Sequence, residues 1–278
     1  SLVGSEMCIR DSTSMMAGGG LAAGMDFKHI ILATLGGNIF LSIIAVLISI
    51  IACKTGLTFA LLTSYSFGSG GSKAASIFVP VVNLGWYTIQ AATYGHFVAQ
   101  VFNLDHVGEG VCMAASAIIM GIFAMFGISA ITILGYIAIP AIVFLSIATA
   151  IRSLGVIGGV DALFSYVPAT DMPLFTGITA VIGTWILSTA TCIADIMRYA
   201  KDTKAAVSAT LTGLLGGNIL MIVCGAIAAI SMQNSDLTVI LLGFGLVIPS
   251  LILMTTNIFT TNAANLYSTS LNLSLIHI

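Results

Sequence analysis

The chain has 278 residues, of which 58% are hydrophobic and only 6% charged, and its formal net charge is −2. Soluble globular domains carry about 25% charged residues, so a water-soluble fold is excluded, and no clustered basic face is present for nucleic acid. Mean hydropathy is +1.12, and the uncharged runs 74–104, 110–151 and 205–235 exceed the roughly 20 residues a helix needs to cross a bilayer. A membrane barrel would alternate polar and apolar residues in segments of about ten, and no such alternation occurs. The fold class is therefore an all-α polytopic membrane protein.

Both ends stand apart. "SLVGSEMCIRDS" and "LSLIHI" resemble translated sequencing-adapter read-through, so residues 1–12 and 273–278 are expected to be non-native, which sets aside Cys8 and His277. Residues 13–272 then hold the transmembrane domain. In chain order, a Gly-rich apolar remnant at 13–24 precedes spans at about 28–53, 74–101, 110–126, 129–152, 174–200, 204–230 and 237–268. The stretch "SYSFGSGG" at 64–71 reads as a loop, and 153–172 as a longer connection. With the remnant counted as span 1, the loops after spans 2 and 6 carry Lys54, Lys73, Arg198, Lys201 and Lys204. The loops after odd-numbered spans carry only Lys28 and Arg152, beside Asp26, Asp105, Glu109, Asp161, Asp171 and Asp236. The positive-inside rule then ends the even-numbered spans in the cytoplasm. Cys53, Cys112, Cys192 and Cys224 are isolated in apolar segments, which fits small buried hydrophobes and no metal or disulfide framework.

Polar residues within the spans carry the functional information, because each must find a partner at bilayer depth. In span 3, "VVNLGWYTIQAATYGH" puts Asn83, Trp86, Tyr87, Gln90 and Tyr94 on one helical face. That face looks into the protein, at packed helices or at a polar cavity. In span 8, "TTNIFTTNAANLY" sets Asn257, Thr260 and Thr261 on one face and turns Asn262 away, near Thr255. Hydroxyl and carbonyl oxygens without a carboxylate suit a monovalent cation better than a divalent one. Helix-to-helix hydrogen bonding remains open for both stripes. In span 6, Gly183 and Thr184 beside Trp185 suggest a break that offers backbone groups to a ligand. Asp195 and Arg198 read as an ion pair or loop anchor, with gating as a sharper option, and His96 as a candidate proton relay.

Six stretches together, "KTGLTFALLTSYSFGSGGS", "NLGWY", "FGISAITILGYIAIPAI", "GGVDAL", "TCIADIMRYAKDTKAAV" and "NIFTTNAANLYSTSL", resemble the nucleobase:cation symporter-1 family, in its cytosine permease-like branch. The resemblance implies a LeuT-type inverted-repeat transporter, present here as part of helix 1 through helix 8, with helices 9–12 and the start of helix 1 lying outside the chain. It implies a secondary active transporter that imports a nucleobase by cation symport in a bacterial inner membrane, with no enzyme activity and no cofactor beyond a coupling ion, Na⁺. It implies that Trp86 and Trp185 sandwich the base, that Asn83, Asn257 and Asn262 read its edge, and that Gly183 and Thr184 offer backbone groups. The cation would be held by Thr260, Thr261 and the backbone of Asn257. Cytosine permeases carry Gln where this chain has Asn83, one methylene shorter, and often Phe where it has Trp185, a residue familiar from hydantoin-type relatives. A hydantoin- or allantoin-type transporter is thus the alternative within the family, and a non-transporting membrane protein with merely packed stripes the alternative outside it.

Overall fold

The computed structural model describes residues 12–234, 237–245 and 247–274. Most of the adapter-like ends, with Cys8 and His277, and the Asp236 of the charge count lie outside the described residues. The rest is helical. Helix α1 is Ser12–Gly24, and α2 is Phe27–Thr55. Asp26 starts α2 by accepting the backbone N–H of His29 at 2.8 Å, a bond that holds its carboxyl below the usual carboxylate range. Gly56 ends α2 at φ 70°, donating to the Ala52 carbonyl.

Helix α3 runs Phe59–Val101 from a Thr58 cap, interrupted where Gly68 adopts φ 67°. The segment read as the loop 64–71 is therefore helical on both sides of one glycine. Then follow α4 (His106–Ala124, capped by Asp105), α5 (Gly127–Ile157), α6 (Val160–Phe164) and α7 (Leu174–Met197). Helix α8 (Thr203–Leu211, capped by Asp202) passes through a π-helical segment, Thr212–Asn218, into α9 (Ile219–Met232). The expected single span 237–268 is in fact two helices, α10 (Leu237–Gly243) and α11 (Val247–Ser274), with Gly245 at φ 68° between them. A long helix, a short one and a long one thus recur in order across α2–α3 and across α8–α11.

By length and composition, four described helices can cross a membrane: α2, α4, the Ala138–Ile157 part of α5, and the continuous run Thr203–Met232. Helix α7 makes a fifth if its 41° bend is taken as one broken span. Helices α3 and α11 are long enough but fall short in hydropathy, since they carry the polar stripes.

Packing divides the helices in two. Helices α1, α2, α7, α8 and α9 pack among themselves, and α3, α4 and α11 form a second group, while α5 touches both α9 and α11. Helices α3 and α11 lie antiparallel, with Tyr94 bonded to Thr255 and Tyr87 to Asn262. In the first group a fully buried ladder ties three elements. Ser14 Oγ donates to Asn218 Oδ1 at 2.7 Å, Asn218 Nδ2 to Asn38 Oδ1 at 2.7 Å, and Asn38 Nδ2 to the Thr34 carbonyl at 2.9 Å. Such a ladder satisfies groups that have no water to turn to.

Helix α1 crosses α9 backbone to backbone. A Cβ on Gly225 would collide with the Met15 main chain, and one on Gly18 with the Ile222 carbonyl, whereas one on Gly20 would meet nothing within 4 Å. Gly225→Ala should therefore destabilise the protein by about 1–3 kcal/mol through overpacking. Gly20→Ala should be neutral or stabilising by up to about 1 kcal/mol. Thermal unfolding in detergent compares the two, and equal melting temperatures would refute the close crossing.

Candidate functional site

The α3 stripe does look inward, toward several neighbours. Asn83 is 1% exposed; its Oδ1 accepts a 3.7 Å bond from Cys192 Sγ on α7, and its Nδ2 has no hydrogen-bond partner. Tyr87 donates to the Ala117 carbonyl on α4. Tyr94 pairs with Thr255 on α11 at 2.8 Å and meets Phe259 edge to face. Gln90 is buried and Trp86 half-buried. One face of α3 thus serves three neighbouring helices, and its Asn83 turns toward the other packing group.

On α11 the structure buries Asn257, Thr260 and Asn262. Thr260 and Thr261 turn their hydroxyl protons onto their own helix: Thr260 donates to the Thr256 and Asn257 carbonyls, both at 2.8 Å, and Thr261 to the Asn257 carbonyl at 3.1 Å. A hydroxyl that donates backward leaves its lone pairs facing away from the helix. The Asn257 carbonyl thus accepts both hydroxyls, and α1 is close enough to contact α11. Asn262 behaves differently. Its Nδ2 donates to the Tyr87 carbonyl at 3.3 Å and reaches Met120 Sδ at 3.2 Å, leaving Oδ1 without a partner. Its amide nitrogen is thus a tie between α11, α3 and α4.

On α7 the expected break shifts. The bend separates Leu174–Leu187 from Thr189–Met197, one turn beyond Gly183. Thr184 Oγ1 bonds to the Ala180 carbonyl at 2.9 Å, and Gly183 lies on the exposed side of the helix. The main chain at Gly183 and Thr184 is helical and keeps its own bonds. Trp185, 5% exposed, belongs to the apolar cluster with Leu41, Ala45 and Ile193, and its Nε1 has no partner.

The charged residues also resolve differently from the sequence reading. Arg198 Nε reaches the backbone carbonyl of Asp195 at 3.3 Å, while the Asp195 carboxylate turns to Phe59, Ser268 and Asn272. His96 Nδ1 lies 2.6 Å from Glu109 Oε1 at the far end of α3. The four described cysteines are free. Sequence reasoning took Cys192 for a small buried hydrophobe and did not connect Ser268 or Asn272 with Asp195. The available signal was Asp195, an acid closing an otherwise uncharged run, which had to recruit donors.

A family model described as permease for cytosine/purines, uracil, thiamine, allantoin matches residues 1–277. The cytosine permease of Escherichia coli (strain K12) is 34% identical over 265 residues, covering 95% of this chain and 62% of the relative, and that of the O157:H7 strain gives the same figures. The chain thus spans less than two thirds of the length of these curated relatives, which are permeases and not enzymes. Among solved structures, the inward-facing conformation of Mhp1 superposes with a TM-score of 0.80 at 18% identity, over 98% of this chain and 63% of that one. Mhp1, a nucleobase-cation-symport-1 family transporter, in a closed conformation with bromovinylhydantoin bound gives 0.81 at 17% identity, over 99% and 70%. The fold is that of this transporter class.

The Asn262 tie yields a test. Asn262→Ala leaves the Tyr87 carbonyl without its donor in a dry interface, at a cost of about 1–3 kcal/mol. Chemical denaturation of the purified variant should show this loss. An unchanged midpoint would mean that Asn262 does not hold α11 to α3.

Proposed function

The chain belongs to the family of permeases for cytosine/purines, uracil, thiamine and allantoin, and from that premise we propose that it forms the core of a secondary active transporter carrying a nucleobase by Na⁺ symport. Alternating access moves the two helix groups against each other in a LeuT-type architecture, and the bacterial inner membrane is the compartment that the relatives and the charge bias support.

The observation that carries this reading is Asn83. A carboxamide 1% exposed, with an amide nitrogen lacking a partner, is costly in a membrane interior unless something bonds to it. A flat heterocycle with carbonyl or ring-nitrogen acceptors on its edge supplies that bond. Trp86, one turn on, offers a stacking face that accepts any base, so that edge contacts decide which is held. Asn257 and the unpartnered Oδ1 of Asn262 extend the polar lining on the α11 side. Trp185 joins through its apolar cluster rather than through a helix break. Asn83 and Trp185 in place of Gln and Phe favour a second reading, a hydantoin-like substrate. No covalent chemistry is involved.

Asn83→Ala should weaken base binding by roughly 5- to 150-fold, the equivalent of about 1–3 kcal/mol for a buried group left unpaired. Asn83→Gln should shift preference toward cytosine, and Trp86→Ala should weaken all bases alike. Competition of cytosine, uracil, hypoxanthine, adenine and a hydantoin against one labelled base, followed by tryptophan fluorescence, measures this. A rank order that Asn83→Gln leaves unchanged would mean that Asn83 only packs.

Sodium is tested separately. Binding of base should strengthen as Na⁺ is raised, since coupling between two ligands is reciprocal. Replacing Thr260 and Thr261 by Ala should remove that dependence. Equal stimulation by protons in sodium-free buffer would overturn the assignment.

A further inference from the structure

Neither base reading nor cation holding uses Asp195, yet its side chain is fully buried in the last turn of α7. A carboxylate there is tolerated only when donors surround it. Its donors come from across the molecule. Oδ1 accepts the backbone N–H of Phe59, the first residue of α3, at 3.0 Å, where the helix dipole favours negative charge. Oδ2 accepts Ser268 Oγ at 2.5 Å and Asn272 Nδ2 at 3.3 Å, both on α11. Helix α7 belongs to one packing group, and α3 and α11 to the other. One side chain therefore fastens both groups at a single end.

Two further contacts make this more than a local anchor. Beside it, Arg198 donates to the Tyr199 hydroxyl, which pairs with Tyr267 on α11 at 3.1 Å. Deeper in, Cys192 lies nearly one turn before Asp195. It donates to Asn83 Oδ1 at 3.7 Å. The end of α7 thus carries two polar ties to the other group, Cys192 to Asn83 and, nearly one turn on, Asp195 to Ser268.

The geometry points to Asp195 as the inner latch of the transport cycle. It is a positioning residue that holds α7 against α11 and the start of α3, nearly one turn from the Cys192 that bonds the Asn83 carboxamide. This rests on the transporter reading above. Opening at this end must break the Ser268 and Asn272 bonds to Asp195, because the carboxylate rides on α7 while its partners ride on the other group. That separation uncovers Cys192, which is 3% exposed when the latch is closed.

Cys192 is therefore a native reporter. The chain, in lipid nanodiscs, is reacted with a soluble maleimide, and each cysteine is followed by peptide mass spectrometry. Asp195→Asn should speed labelling of Cys192 roughly ten-fold, the scale set by losing charged hydrogen bonds from one conformer. Cys224, equally buried on α9, should keep its rate. Ser268→Ala provides the same readout if Asp195→Asn fails to fold. An unchanged Cys192 rate, or equal acceleration at Cys224, overturns the latch. Base-induced change in tryptophan fluorescence on the same samples reads the binding site alone. Its absence beside selective Cys192 labelling would count against base recognition and not against the latch.

Discussion

In hydrocarbon there is no water to rescue a polar group, and this constraint organises the molecule. Ser14, Asn38 and Asn218 bond one another at zero exposure, so α1, α2 and the π-helical segment are tied together. Asn262 and Tyr94 do the same for α3 against α11. Each group is stitched internally by groups that would otherwise be stranded. Between the groups the polar ties described here are few and sit around Asp195, Cys192 and Asn83. The two groups are firmly knit within and lightly joined between.

Much of this could be read from residue types. The spans followed from the uncharged runs, and the α3 and α11 stripes were recognisable because Asn83, Tyr87, Tyr94, Asn257 and Thr260 recur at helical spacing. The same polarity lowers the hydropathy of those two helices, so the segments that carry the site look least like membrane spans. What could not be read was direction. Helical spacing places Asn257 and Asn262 on different faces, but not which neighbour each face meets. The break near Gly183 was argued from local helix propensity, and tertiary packing moved the bend to the following turn. The loop predicted at 64–71 fared similarly, since one glycine at positive φ sufficed where a run of Ser and Gly suggested more. Asp195 shows the deeper limit. Its partners come from Phe59 and from Ser268 and Asn272, more than 70 positions away on either side, and no pattern within α7 names them.

The division of labour along α11 follows from the same geometry. Its Thr hydroxyls spend their protons on the helix itself and keep lone pairs outward, whereas Asn262 spends its donors on neighbouring helices. A single helix can thus present acceptors on one side and act as a structural tie on the other, because a carboxamide has both donor and acceptor ends and a back-bonded hydroxyl offers only an acceptor.

The π-helical segment Thr212–Asn218 has a consequence for how this sequence can change over time. A π-turn accommodates an extra residue within an α-helix, so the helix below it is rotated by about 100° relative to an uninterrupted run. Removing any one residue from "TGLLGGN" would leave a more regular helix with better backbone geometry. It would also swing Asn218 away from Ser14 and Asn38, or else turn the face of α9 that carries Gly225 away from α1. Length in this segment should therefore be under selection as strict as that on Asn218 itself, since a single-codon deletion breaks the ladder as surely as the loss of its carboxamide would.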